Sequence, residues 1–403
     1  AQCLVGSEMC IRDSVPAFLL GALLAEAMPI WPAIISGSLG YLIVVVGMVA
    51  TGMIGCDLGL ASCTCCQAGF GKSGARFIVS TIFAVNMIGW FGIQNGVCGE
   101  AFSNAMLAMT GWDIPVVVSN TIWGIIMLLT AVYGVHALEK LDKISIPLLM
   151  IIMCYGIFLA FKVYGTGNLN DEGTVQSMSF MSGVALSFNF TAVGTITGPD
   201  YTRFQKSRKD TVKSVFYGVF PMGVITLIMG IVLTKLSGQY DISMVLIEVG
   251  LPLLGIIALV ISTWTTNSTN AYSAGLNIVM ALKLKDNRRR EATLISGIVG
   301  IVLCDLGILG HVEGVLSLLS YVVCPVGGVI LADYWVVGKG KAKNFRPQDG
   351  VNWAGVIAWA LGAIISYTLV KIEFVGIIIG FVIYLIAERF IPSASRDNAE
   401  NIA

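Results

Sequence analysis

The chain has 403 residues, 56% of them apolar and 12% charged, with 24 Lys and Arg against 24 Asp and Glu and a mean hydropathy of +0.84. A soluble domain carries about 25% charged residues, so this composition excludes a water-soluble enzyme, gives no reason to expect a nucleic-acid partner, and places the chain in a bilayer.

The chain begins Ala-Gln-Cys-Leu-Val-Gly-Ser-Glu-Met-Cys-Ile-Arg-Asp-Ser, without Met and without the basic start and apolar stretch of a signal peptide. Residues 1–14 are therefore expected to be non-native, standing where the first half of a first helix should be. An incomplete segment follows from Val15 to Ile30. A spanning helix takes roughly 20 apolar residues, and such runs are centred near Val45, Gly92, Ile125, Met150, Val193, Val224, Val260, Val302, Val326, Ala360 and Ile379. The expectation is an all-α integral membrane protein of twelve segments, a single transmembrane domain over 15–392 with a short tail at 393–403.

Basic residues support that count. Alternate loops carry Lys72 and Arg76; Lys140 and Lys143; Arg203, Lys206, Arg208, Lys209 and Lys213; Lys283, Lys285, Arg288, Arg289 and Arg290; then Lys339, Lys341, Lys343 and Arg346. The intervening loops offer only Lys162, Lys235 and Lys371. The positive-inside rule then predicts a multi-pass protein of the cell's inner (plasma) membrane with both termini cytoplasmic.

Between the second and third segments lie Cys63, Cys65 and Cys66, far in sequence from the two histidines, His136 and His311. Their spacing matches no zinc pattern, so small-residue packing or a plain solvated loop is expected. Cys98, Cys154, Cys304 and Cys324 read as buried apolar fillers. In the third segment Trp90 and Gln94 stand four apart and share a helix face. That face offers an aromatic surface beside an amide able to donate and accept, which suits a planar heterocycle; the bland reading of Trp90 is a core aromatic. In the sixth segment, Ser187 to Pro199 gathers β-branched residues, two glycines and a proline, all of which weaken a helix. A break there would expose backbone to a ligand beside Thr191, Gly194 and Thr195, the alternative being a Thr/Gly face for close packing.

The eighth segment carries Trp264-Thr265-Thr266-Asn267-Ser268-Thr269-Asn270-Ala271-Tyr272 inside an apolar run. Polar groups at membrane depth cost several kcal/mol each when unsatisfied, so they face the bundle interior and mark a substrate or ion route. Such a cluster points to a transporter. A channel would show rings of charge or a repeated filter, and none of the motifs H-E-x-x-H, G-x-S-x-G or the P-loop is present to suggest an enzyme.

Four ordered motifs carry a resemblance: Gly89-Trp90-Phe91-Gly92, Pro199-Asp200-Tyr201-Thr202-Arg203-Phe204, Trp264-Thr265-Thr266-Asn267 with Ser273-Ala274-Gly275-Leu276, and Pro325-Val326-Gly327-Gly328-Val329-Ile330-Leu331-Ala332-Asp333-Tyr334. From Val15 to Pro392 the chain resembles the nucleobase:cation symporter, or purine-cytosine permease, family. The resemblance implies a leucine-transporter-like core of two inverted five-helix repeats, with helices one and six broken at mid-membrane. It implies a secondary transporter, not an enzyme, importing a neutral nucleobase-like ring with Na+ or H+ by alternating access. Cytosine is the first expectation, and a purine, allantoin or hydantoin, or hydroxymethylpyrimidine are the alternatives. Trp90 stands where the family stacks its ligand, and its spacing to Gln94 is similar to that of hydantoin-type members. Asn267 and Asn270 would complete the substrate site. The family's sodium ligands correspond to the Ser262 carbonyl and the Thr265 and Thr266 hydroxyls, with partners from helix one near Cys10 to Ser14. Neutral oxygens suit a hard cation, although threonines often bond back to their own helix. Proton coupling would instead use a group such as Asp200 or Glu26. No cofactor and no obligate protein partner are expected beyond the substrate, the coupling ion and the lipid bilayer.

Overall fold

The computed structural model describes residues 14–133, 135–166, 169, 178–239 and 242–391, and among these the regular structure is all helical. Numbered by segment, the helices are α1 (Ser14–Ala27), α2 (Ile30–Leu58), α3 (Ser80–Thr110), α4 (Val116–Tyr133), α5 (Val135–Tyr164), α6a (Phe180–Thr191), α6b (Gly194–Thr202), α7 (Arg208–Ser237), α8 (Pro252–Ala281), α9 (Arg289–Asp305), α10 (Val312–Leu331), α11 (Trp353–Ile365) and α12 (Val375–Phe390). Each apolar centre falls inside its helix except Val193, which sits at the turn between α6a and α6b. Among the described residues seven stretches, beginning with Ile30–Leu58, are long and apolar enough to cross a membrane. Large apolar side chains such as Ile295, Ile298 and Val302 on α9 point outward and stay exposed, as a lipid-facing surface requires. The expected non-native start and the C-terminal tail lie outside the described residues, apart from Ser14.

Local chemistry sets the helix ends. Ser179 Oγ accepts from Ser182 N at 3.1 Å and Ser207 Oγ from Asp210 N at 3.2 Å, each capping a helix start. Gly59, Gly111 and Gly238 end α2, α3 and α7 in the left-handed conformation, which glycine adopts without a Cβ penalty.

The helices sort into two groups. α2 packs on α6a and α6b, and α7 on α1 and α2; separately, α3, α4, α8 and α9 pack on one another. Segments one, two, six and seven thus form one body and three, four, eight and nine the other, which is the pairing of segment n with n+5 that an inverted repeat produces. Contact between α2 and α6b is so close that a Cβ on Gly55 would lie 2.4 Å from Pro199 Cα, and one on Gly198 would lie 2.5 Å from the Met48 carbonyl.

The break in helix six is milder than its composition suggests. Ala192 and Val193 keep right-handed helical backbone. The change is a tightening, in which Thr195 N and Ile196 N bond three residues back, to Ala192 O and Val193 O. The tightening shifts the axis without unwinding the chain, and the Thr51 hydroxyl takes up the Thr195 carbonyl at 2.8 Å.

Of the two readings of the cysteine cluster the structure shows small-residue packing: Cys63, Cys65 and Cys66 are buried around the short helix Ser62–Cys65 and do not form a solvated loop. Burial pushes the Cys63 thiol up to about 11 and the Cys65 thiol up to about 12, so they stay protonated and pack as small apolar groups. Cys98, Cys304 and Cys324 are buried as expected, whereas Cys154 is exposed on α5.

Candidate substrate site

Between the two helix groups lies a cavity of about 520 Å³, a size suited to a small-molecule ligand. α3 lines it with Phe83, Met87, Trp90 and Gln94, and α8 with Thr266, Asn270, Ser273 and Asn277. Both sets are spaced four, three and four apart, the repeat that keeps side chains on one face of a 3.6-residue helix. Phe190, Thr191 and Gly194 supply a third wall from the α6 turn. One end opens between Asp200, Arg203, Phe204 and Met280, where Phe204 is 74% exposed. At the other end Trp90 and Phe190 join Leu20, Leu24, Leu186, Val312 and Leu316 in a buried apolar cluster. Among the described residues the cavity thus opens at the Phe204 end and is closed by this cluster at the other.

Trp90 is 7% exposed and meets Phe190 edge-on, centroids 5.8 Å apart. Gln94 is 3% exposed, and neither its Oε1 nor the Thr191 Oγ1 has a hydrogen-bond partner. Buried polar atoms are nearly always paired, and each unpaired one costs about 1–3 kcal/mol. Two such atoms on the wall of one cavity, beside an indole, form a surface that a ring with its own donors would satisfy.

The polar stretch of α8 behaves differently. The Trp264 indole donates to Thr130 Oγ1 at 3.0 Å and Ser268 Oγ to the Met127 carbonyl at 3.0 Å, tying α8 to α4. Asn267, expected at the substrate, does not line the cavity: its amide donates to the Phe91 carbonyl at 3.0 Å and lies 3.3 Å from Met127 Sδ. It supports Asn270 instead, whose Nδ2 donates to Asn267 Oδ1 at 3.5 Å. Thr195 is likewise turned away, with its hydroxyl on the Ala192 carbonyl at 2.7 Å. Of the seven expected substrate residues, Trp90, Gln94, Thr191, Gly194 and Asn270 thus share the cavity, while Asn267 and Thr195 stand behind it.

The Thr265 and Thr266 hydroxyls both donate to the Ser262 carbonyl, at 3.0 and 2.9 Å. The three oxygens are gathered as a hard cation needs, all neutral, but the hydroxyl hydrogens point inward to the carbonyl. A bound cation would have to turn those hydroxyls around. Only Thr266 reaches the cavity wall; of the expected ligands on helix one, Cys10 to Asp13 lie outside the described residues. Among the described residues no group of three His, Cys, Asp or Glu side chains could hold a metal.

Sequence reasoning missed Phe190, Ser273 and Asn277. The signal for the last two was present: Thr266, Asn270, Ser273 and Asn277 are polar at every step of the cavity-facing stripe. Phe190 had none, since an aromatic next to a helix break looks like any other core residue.

A family model described as permease for cytosine/purines, uracil, thiamine, allantoin matches residues 3–388. The chain is 31% identical over 335 residues to the cytosine permease of Escherichia coli (strain K12), covering 82% of this chain and 76% of that protein. It is 24% identical over 438 residues to the allantoin permease of Bacillus subtilis (strain 168), covering 96% and 89%. Its fold matches the inward-facing conformation of Mhp1 with a TM-score of 0.82 at 19% identity, covering 96% and 90% of the two chains. Against Mhp1 closed with bromovinylhydantoin bound, the TM-score is 0.79 at 18% identity, covering 97% and 91%. The helical segments of the described residues, eight of them in two packed groups with a cavity between, and this extent of similarity together establish that the chain belongs to the nucleobase:cation symporter family of membrane permeases.

Proposed function

We propose that the protein imports a neutral nucleobase-like ring, cytosine first, by cation-coupled alternating access. The carrying observation is the pair of unpartnered buried atoms, Gln94 Oε1 and Thr191 Oγ1, on the cavity wall beside Trp90. A planar ring lying on the indole would meet the Gln94 amide at its edge, where a ring N–H satisfies Oε1 and a ring carbonyl accepts from the amide nitrogen. Asn270 approaches from the opposite helix and offers a further amide. The Gln94 amide also supports a second reading, an allantoin- or hydantoin-type ring, because an imide edge presents alternating N–H and C=O to one amide.

The cavity mouth at Arg203 and Phe204 lies beside the basic run Lys206 to Lys213. Under the positive-inside rule this end faces the cytoplasm of a cell with the protein in its inner membrane and both termini inside. The chain is then in its inward-open state. Sodium is the coupling ion we favour, held by the Ser262 carbonyl and the Thr265 and Thr266 hydroxyls. Its binding would fix α8, and with it Asn270, against the other helix group.

Equilibrium binding of cytosine, a purine and a hydantoin to the purified chain, with and without sodium and across pH, tests both readings. Cytosine binding that strengthens with sodium supports the first. Thr266→Ala should then lower sodium affinity and, by linkage, cytosine affinity through the same coupling factor. Binding that ignores sodium but follows pH transfers coupling to a proton on a group such as Asp200 or Glu26, and a hydantoin preference selects the second ring class.

A further inference from the structure

Outside the cavity, a carboxylate is buried in the turn between α11 and α12. Glu373 is 6% exposed. Its Oε1 accepts from Asn189 Nδ2 at 3.0 Å and from Ser317 Oγ. Asn189 belongs to α6a and Ser317 to α10, so one oxygen fastens two helices next to Phe190 of the cavity wall. Phe374, the next residue, packs edge-on against Phe188 of α6a at 5.6 Å.

The same helix α10 is held differently at its other end. Asp57 of α2 accepts from Arg208 Nε at 2.9 Å through both oxygens, and its Oδ2 accepts from the Tyr334 hydroxyl at 2.5 Å. Arg208 also donates to the Gly340 carbonyl at 2.6 Å. The chain just past α10, at Tyr334 and Gly340, is thereby bonded to the Asp57–Arg208 ion pair that joins α2 and α7. Between the two ends lie Pro325, inside the helix, and Gly327 and Gly328, residues that weaken a helix and let it bend. Beyond this weak point α10 carries Leu316 and Val312, part of the apolar cluster that closes the cavity. For the cavity to open on that side, the Glu373 bonds and the apolar contact must release, while the Asp57 clasp need not.

We propose that Glu373 is the latch of the outer gate, holding the Val312-to-Cys324 half of α10 against α6a while the cavity faces inward. This rests on the alternating-access reading above. A carboxylate suits a latch because its hydrogen bonds are stronger than those of a neutral acceptor, yet it is also the group that gains most from hydration. Glu373 forms no ion pair among the described residues, and the donors to it, Asn189 and Ser317, are neutral. When the half-helix swings away, water replaces those donors, which keeps the closed and open states close in free energy.

The test uses two reporter cysteines in the purified full chain, scored as maleimide modification above that of the parent's own cysteines. Leu316→Cys reports the closed end, Leu316 being 1% exposed; Met280→Cys reports the mouth. Glu373→Ala should speed modification at position 316 about tenfold, the factor expected for losing charge-assisted hydrogen bonds, and slow it at position 280. Glu373→Gln keeps an acceptor oxygen for both donors but loses the charge assistance, and should give a rise at 316 between those of the parent and the alanine variant. Ser317→Ala cuts the latch from the α10 side and should give a smaller rise at 316, which serves if Glu373→Ala fails to fold. Unchanged rates at 316 in both alanine variants would overturn the latch, as would a rise at both reporters, which signals general loosening, or a Gln variant that behaves like Ala. Neither reporter uses a substrate, so a wrong assignment of the transported ring leaves this result standing.

Discussion

The two polar walls of the cavity are built on opposite principles. α8 brings a dense run of hydroxyls and amides, and most are paired with α3, α4 or their own helix: Asn267 with Phe91, Ser268 with Met127, Trp264 with Thr130. α3 and α6a bring few polar groups to the cavity, and two of these, on Gln94 and Thr191, are left without partners. Density of polar residues therefore marks where helices are held together in a membrane, where small and polar side chains supply association that hydrophobicity cannot. Buried polar atoms without a partner occur elsewhere too, as at Ser262 and Thr263, but on the cavity wall those of Gln94 and Thr191 are open to a ligand. In the proposed function the wall with fewer polar groups is the one that recognises.

Trp90 gives the largest effect by which this contrast can be broken. It serves both the cavity and the apolar cluster around Leu20 and Leu316, so Trp90→Ala should cost about 3–5 kcal/mol of stability and about 1–3 kcal/mol of ring stacking. Trp90→Phe keeps a flat face and should retain affinity within a few-fold. Ligand titration beside thermal unfolding separates the two losses. If Trp90→Ala binds as the parent does, the indole is part of the closed end and not of the recognition surface.

Much of the architecture was legible because it depends on long averages. Hydropathy over some twenty residues locates each helix, and an alternating charge pattern orders the loops; neither depends on any single side chain. The site was legible in part. Trp90 and Gln94 stood out because an isolated indole and amide in an apolar helix define a face by themselves. In α8 no face stood out, since almost every position from Trp264 to Asn270 is polar and each direction around the helix looked functional. Asn267 and Asn270 are three residues apart, about 60° around the axis, which sends one into the α3 contact and the other into the cavity. Only the packing of α8 against α3 and α4 fixes that rotation. The helix-six break falls where expected, at Ala192 and Val193, and only its depth was over-read, for a related reason: glycine, proline and threonine permit unwinding, but the Thr51 hydroxyl and close packing on α2 keep the turn tight.

Asn267 sharpens the comparison from the paired side. Asn267→Ala removes the bond to the Phe91 carbonyl, leaves that buried acceptor without this donor, and should lower stability by about 1–3 kcal/mol in a thermal or denaturant assay. Substrate affinity should fall by no more than about threefold, through the lost support of Asn270. Asn270→Ala should show the reverse balance, with little change in stability and a clear loss of binding. Should Asn267→Ala instead unfold like the parent and bind substrate tenfold more weakly, the amide belongs to the ligand and α8 is rotated from the position described.

Gln94 tests the unpaired side, and the sign of one effect is its signature. In the empty cavity the Gln94 amide is buried with its oxygen unsatisfied, an arrangement that costs free energy; replacing it by an apolar side chain of similar length removes the cost and leaves no donor stranded, because none was bonded to it. Gln94→Leu should therefore unfold at the same temperature as the parent or a higher one, the direction seen when a site's unmet polar group is given up for stability. The same substitution removes the group that a ring N–H and C=O would pair with and should weaken substrate binding roughly tenfold, about 1.4 kcal/mol. Thr191→Val, which deletes a smaller unpaired group, should move both quantities in the same directions by less. A packing residue cannot give this pattern, since its loss lowers stability first and binding only as a consequence. Stability that falls with Gln94→Leu would mean that the amide is already satisfied within the protein, and the recognition role would then pass to Asn270 on the opposite wall.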